Sequence, residues 1–97
     1  MRMMVKFSVP VEKGNEAFRS GALQKTVQSV VERLQPEAAY FGPNEDGERS
    51  AFIVFDMEGS WQIPGIAEEV FQNLNARIQF SPVMNAEDLK RGWEESS

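Results

Sequence analysis

The chain has no cysteine and no histidine. The first absence removes disulfides and thiolate chemistry, and the second removes Ser-His-Asp and Cys-His machinery. Together they exclude most zinc sites and a proximal haem ligand, so only carboxylate metal sites remain. No run approaches the ~18 apolar residues of a membrane-spanning helix. The start, Met1 to Lys6, lacks the apolar stretch of a secretory leader, so the expected place is the cytoplasm, with no membrane association. The net charge of −5 lacks the basic excess that displaces counterions from phosphate, so nucleic acid is not an expected partner. No glycine-rich phosphate loop is present, nor any repeat, low-complexity tract or linker.

What is there is an ordinary globular composition, 41% hydrophobic and 26% charged, over 97 residues. That length is one domain, 1–97, with a thin core that a second copy would thicken.

Period-two alternation of Met3, Val5, Phe7 and Val9 against Arg2, Met4, Lys6 and Ser8 predicts a strand with one buried face, ended by Pro10. Asn15 is a candidate cap for a helix whose apolar face is Leu23, Val27, Val30, Val31 and Leu34, with Phe18 near its start. Gly21 weakens that helix and Pro36 stops it. Ala38–Phe41 and Ala51–Phe55 flank a polar turn with Asp46-Gly47 at its centre, which predicts a hairpin. The second of these strands is apolar on both faces and should be central and covered on both sides. Ser60 is a candidate cap for a second helix, in which Ile63, Ile66, Ala67, Val70, Phe71 and Leu74 recur at helical spacing. Asn75 is suited to end it. Ala76, Ile78 and Phe80 alternate with Arg77, Gln79 and Ser81 as a fourth strand, closed by Pro82. Asn85 and Asp88 have the spacing of a capping box for a short last helix with the apolar pair Leu89 and Trp93.

The order β-α-β-β-α-β is that of an α+β, ferredoxin-like fold. Right-handed crossovers give a four-stranded antiparallel sheet of order 4-1-3-2, with both long helices on one face. The other face then carries Arg2, Met4, Lys6 and Ser8 from the first strand, either Phe52 and Val54 or Ile53 and Phe55 from the third, and Arg77, Gln79 and Ser81 from the fourth. Such an apolar strip marks an interface, and two sheets packed face to face would form a homodimer with a cavity between them.

The element order, the opening Met3-Met4-Val5-Lys6-Phe7, the Phe80-Ser81-Pro82-Val83-Met84 strand end and the Asn85-Ala86-Glu87-Asp88-Leu89 helix start resemble a group of small bacterial proteins in the dimeric α+β barrel superfamily. The resemblance covers nearly the whole chain and implies the fold and its pairing. Members of the superfamily include cofactor-independent monooxygenases, muconolactone isomerases, haem-degrading enzymes and ligand sensors. The haem-degrading members depend on a histidine ligand that this sequence lacks.

Lys6 and Arg77 are candidates to hold a carboxylate, an enolate or a phosphate on the uncovered face. Lone cations at such a place are more often solvated or ion-paired. Tyr40 can hydrogen-bond a ligand, or simply sit with its hydroxyl at the rim. Trp61 can line a cavity mouth, or pack on the sheet edge. Met4 and Met57 can line an apolar cavity or fill the core. Glu45, Asp46 and Glu48 lack the bidentate ending of a calcium loop and read as a solvated turn. The expected function is binding of a small acidic or aromatic molecule, or an interaction role, between paired sheets and without a cofactor. The alternative is a cofactor-independent monooxygenase or isomerase acting on a small acidic or phenolic compound.

Overall fold

A computed structural model describes all 97 residues. The first strand, β1 (Arg2–Val9), alternates strictly between half-buried and buried residues, as its period-two pattern requires. Pro10, extended at φ −55° and ψ 144°, turns the chain straight into helix α1 (Val11–Ser20) without a loop. The helix therefore begins upstream of Asn15. Its first bond runs from the Gly14 N–H to the Pro10 carbonyl. Asn15, expected as the cap, instead accepts a hydrogen bond from Arg49 on the sheet.

The expected single helix is two. Gly21 adopts φ +87°, a conformation open to glycine at little cost, and separates α1 from α2 (Ala22–Leu34). Phe18, near the break, is left exposed and does not join the core. After α2 come β2 (Ala38–Pro43) and β3 (Arg49–Asp56), joined by a turn in which the Asn44 side chain accepts from the N–H groups of Asp46 and Glu48. A 3₁₀ turn at Ser60–Gln62 precedes α3 (Ile63–Leu74). Ser60, expected as its cap, makes no capping hydrogen bond because the 3₁₀ turn already leads the backbone into the helix. Asn75 ends α3 in the left-handed conformation: its N–H donates to the Phe71 carbonyl and the next N–H, that of Ala76, to the Val70 carbonyl. The last strand is β4 (Arg77–Pro82), and α4 (Ala86–Ser96) follows, opened by a complete Asn85–Asp88 capping box.

The antiparallel sheet has the order β2-β3-β1-β4, the predicted order read from the other edge. Helices α1, α2 and α3 lie on one face. Against that face pack Met3, Val5 and Phe7 of β1 and Ala51, Ile53 and Phe55 of β3, joined by Val30 and Leu34 of α2 and Val70 and Leu74 of α3. Arg33 ties α2 to α3: its Nη1 donates to the Gly65 carbonyl at 2.8 Å, and its Nη2 lies 2.9 Å from Glu69 Oε1. The second contact is an ion pair whose angle is too poor for a hydrogen bond. No helix is long and apolar enough to cross a membrane.

The registers settle which side chains lie on the helix-free face. Met4 stands opposite Val54, Lys6 opposite Phe52 and Ser8 opposite Ser50. Ile53 and Phe55 therefore belong to the core, while Phe52 and Val54 point away from it. β3 is central but not covered on both sides within one chain, because Phe52 and Val54 remain half-buried. Met57 is core filling.

Candidate functional site on the helix-free sheet face

Across the middle of the helix-free face runs one row: Tyr40, Phe52, Lys6 and Gln79, from β2 to β4. Below it lie Ala38, Val54, Met4 and Ser81, and above it Gly42, Ser50, Ser8 and Arg77. The result is an apolar centre of Met4, Phe52 and Val54 with a cationic margin.

Lys6 is half-buried and no carboxylate lies within ion-pair distance of it; its Nζ sits over the Phe52 ring, 5.4 Å from the centroid. Arg77 is diagonal to Lys6 on the next strand, a separation of about 7–8 Å between Cα atoms. The two cations and Gln79 line a hollow of about 380 Å³. Arg77 is partnered, with its Nη2 donating to Glu48 Oε2 at 3.4 Å. Glu48 therefore leaves the acidic turn and folds inward, and only Glu45 and Asp46 behave as solvated turn residues.

Tyr40 shares the face but lies on the edge strand, two strands from Lys6 at about 4.8 Å per strand, and is 70% exposed. Trp61 does not join them. It sits in the 3₁₀ turn beyond β3, 71% exposed, with its indole against Gly59. The structure thus brings Lys6, Arg77 and Tyr40 to one face and leaves Trp61 outside it.

The lower end of the face is fastened by charge. Arg2 donates from Nε to Glu37 at 2.6 Å and from Nη1 to Asp88 at 2.8 Å. The Glu37 hydrogen bond, then its charge and that of Asp88, raise the Arg2 pKa above its already high ordinary value. The Met1 ammonium, 2.7 Å away, holds Asp56 below the usual carboxylate range, mainly through its hydrogen bond. No three carboxylates come together as a metal-binding cluster.

No protein-family model matches the sequence, and no curated protein matches it. Among solved structures, PelD fragment 156–455 from Pseudomonas aeruginosa PA14, in complex with c-di-GMP, superposes with a TM-score of 0.54 at 12% identity. The match covers 97% of this chain and 37% of that one, so the chain spans little more than a third of the PelD fragment. A candidate antibiotic biosynthesis monooxygenase from Deinococcus radiodurans superposes at a TM-score of 0.48 and 12% identity, over 89% of this chain and 95% of that one. The likeness to PelD is one of fold, and the second superposition is too loose to bear on the site.

Sequence reasoning missed a second concavity. On the opposite side of the sheet, an apolar groove of about 560 Å³ opens between the α1–α2 pair and the β2–β3 hairpin. Its walls include Leu23, Val27 and Phe41, and Arg49 lies in it. The only sequence signal would have been the exposed Phe41, which the registers put on the helix side of the edge strand beyond the reach of full cover.

Proposed function

We propose that the chain works as a homodimer whose two helix-free faces pack together and hold a small acidic or aromatic molecule between them. The observation that carries this reading is Lys6. It is a half-buried cation with no carboxylate partner, at the border of an apolar patch of Met4, Phe52 and Val54 that no element of its own chain covers. Covering that patch with a second sheet would remove apolar surface from water at roughly 25 cal/mol per Å². The same step would strip water from Lys6, which then needs an anion. A bound carboxylate supplies the charge, and an aromatic body suits the Phe52 and Tyr40 rings.

Helix α4 supports pairing independently. All of its residues are exposed, Leu89 and Trp93 among them. The radius of gyration is 15.1 Å, against about 12.5 Å for a compact chain of this length. The helix therefore stands off the body, on the side where Arg2 holds Asp88. Its apolar stripe lacks cover in one chain and gains it from a partner.

The arrangement favours binding over catalysis. The face offers charge and apolar surface, and its one phenol, Tyr40, is at the solvated edge rather than beside Lys6. Light scattering on the purified protein at micromolar concentration tests the pairing: twice the chain mass is expected, and a monomer overturns it. Thermal-shift measurements with benzoate and 4-hydroxybenzoate test the site. Stabilisation of the wild type that falls in Lys6→Ala and Arg77→Ala is expected. Equal shifts in all three proteins would clear both residues of a binding role.

A further inference from the structure

Arg49 stands apart from the other partly shielded arginine of the chain. Arg2 and Arg49 are both half-buried, but Arg2 grips two carboxylates and Arg49 has none within ion-pair distance. A guanidinium carries five N–H donors. Within the chain Arg49 spends one, from Nη2 to Asn15 Oδ1 at 3.1 Å.

The guanidinium is nevertheless held in place. Its carbon lies 6.0 Å from the Phe18 ring centroid, a cation–π distance. The backbone of α1 passes so close that a Cβ at Gly14 would fall 2.6 Å from Nη1. Gly14 is buried, so at this position glycine allows the helix to lie against the charge. Arg49 also lines the 560 Å³ groove, whose apolar walls include Phe7, Val9, Leu23, Val27 and Phe41 and whose polar lining includes Asn15 and Ser50. That volume lies within the range of small-molecule sites, about 300–1,000 Å³.

We propose that this groove is a binding site for an amphiphilic monocarboxylate, a medium-chain fatty or aryl-alkanoic acid. Arg49 receives the carboxylate on its free N–H edge, and Leu23, Val27 and Phe41 take up the apolar body. A carboxylate matches the guanidinium fork with two parallel hydrogen bonds and neutralises a charge that the chain leaves without a counterion. An apolar tail covers the surface that the two-helix layer fails to cover beside β2. The site is on the other side of the sheet from Lys6 and does not depend on the pairing proposed above.

Titration calorimetry with decanoate, held below its micelle concentration, and with decanol tests the proposal on the full chain. Decanoate is expected to bind at least about tenfold more tightly than decanol, since the two share a tail and differ in the head. Arg49→Met keeps an unbranched apolar side chain and is expected to remove that preference. Gly14→Ala, which must displace the guanidinium, is expected to weaken decanoate without abolishing decanol binding. Lys6→Ala is expected to bind decanoate as the wild type does. Equal binding of decanoate and decanol, undiminished decanoate affinity in Arg49→Met, or loss of decanoate in Lys6→Ala alone would each overturn the assignment. The last outcome would place the carboxylate on the sheet face and leave the Lys6 reading standing.

Discussion

Lys6 and Phe52 face each other across β1 and β3 on the uncovered side of the sheet, the ammonium 5.4 Å from the ring centroid. A contact of this kind, still partly open to water, is worth on the order of 0.5–1 kcal/mol. The pair therefore does little for the fold of one chain and much for the character of the face: it sets a positive charge at the border of the apolar patch.

Phe52→Arg tests what that patch is for. The side chain is half-buried and outside the core cluster, so a single chain should keep its fold. Two copies packed face to face would bring both introduced guanidinium groups beside both Lys6 ammonium groups without water. Light scattering should show the mass fall from two chains to one while far-ultraviolet circular dichroism is unchanged. A dimer of undiminished mass would mean that the chains pair elsewhere.

Ile53→Ala, one residue along, should behave in the opposite way. Ile53 is fully buried on the helix side. Truncating a buried Ile costs about 2–5 kcal/mol through lost transfer energy and the cavity left behind. Urea denaturation should show that loss, and a loss below about 1 kcal/mol would contradict the assigned register.

This contrast marks where the sequence was legible. The strands and the one-sided helix layer followed from apolar spacing and the strand order from crossover handedness, though the first helix is broken in two at Gly21, and the Asn75 and Asn85–Asp88 signals lie where the backbone uses them. The face of β3 was not legible, because Phe52-Ile53-Val54-Phe55 offers equal hydrophobicity to both sides and only pairing with the alternating β1 decides it. Asn15 misled for a related reason. A polar residue before an apolar run reads as a cap, yet Pro10 had already preset the helical entry five residues earlier. Lys6 and Arg77 could be assigned to one face once the strands were ordered, but the choice of Tyr40 over Phe41 on that face needs the pairing of β2 with β3, and the Arg77–Glu48 pair and the Arg49 groove depend on tertiary neighbours that no local pattern announces.

Gly21→Ala probes the break between α1 and α2. A Cβ would meet no neighbouring atom, so space is not the obstacle, and the cost comes from the φ of +87°. Placing Ala there should destabilise the fold by about 1 kcal/mol in urea, with Gly21→Asn less costly because Asn tolerates this conformation better. A stabilised Gly21→Ala would mean that α1 and α2 run on as one helix in solution.

Arg33→Met should cost more than its exposure suggests. Glu69 is half-buried between α2 and α3, and Arg33 supplies its charge partner as well as a hydrogen bond to the Gly65 carbonyl. Removing the cation leaves the carboxylate without a partner, with an expected loss of roughly 1–2 kcal/mol. Glu69→Gln added to Arg33→Met should recover part of it, because the neutral amide needs no counter-charge. A double variant no more stable than Arg33→Met would show that the Gly65 bond carries the link between the helices.

Asn85→Ala tests helix α4, which has no buried residue to hold it. Its order rests on the capping box, in which Asn85 Oδ1 accepts from the Asp88 N–H at 2.8 Å and Asp88 reaches back to the Asn85 N–H, and on the Arg2–Asp88 pair. Loss of the Asn85 side chain removes about 1 kcal/mol from that helix. A helix of 11 residues is marginal without packing, so this is enough to fray it. Nuclear magnetic resonance should show amides 86–96 moving toward random-coil shifts at low protein concentration, while the amides of β1 and β3 stay in place. At concentrations where two chains pair, the same amides should recover helical shifts if the partner covers Leu89 and Trp93. Fraying that does not respond to concentration would show that α4 takes no part in pairing.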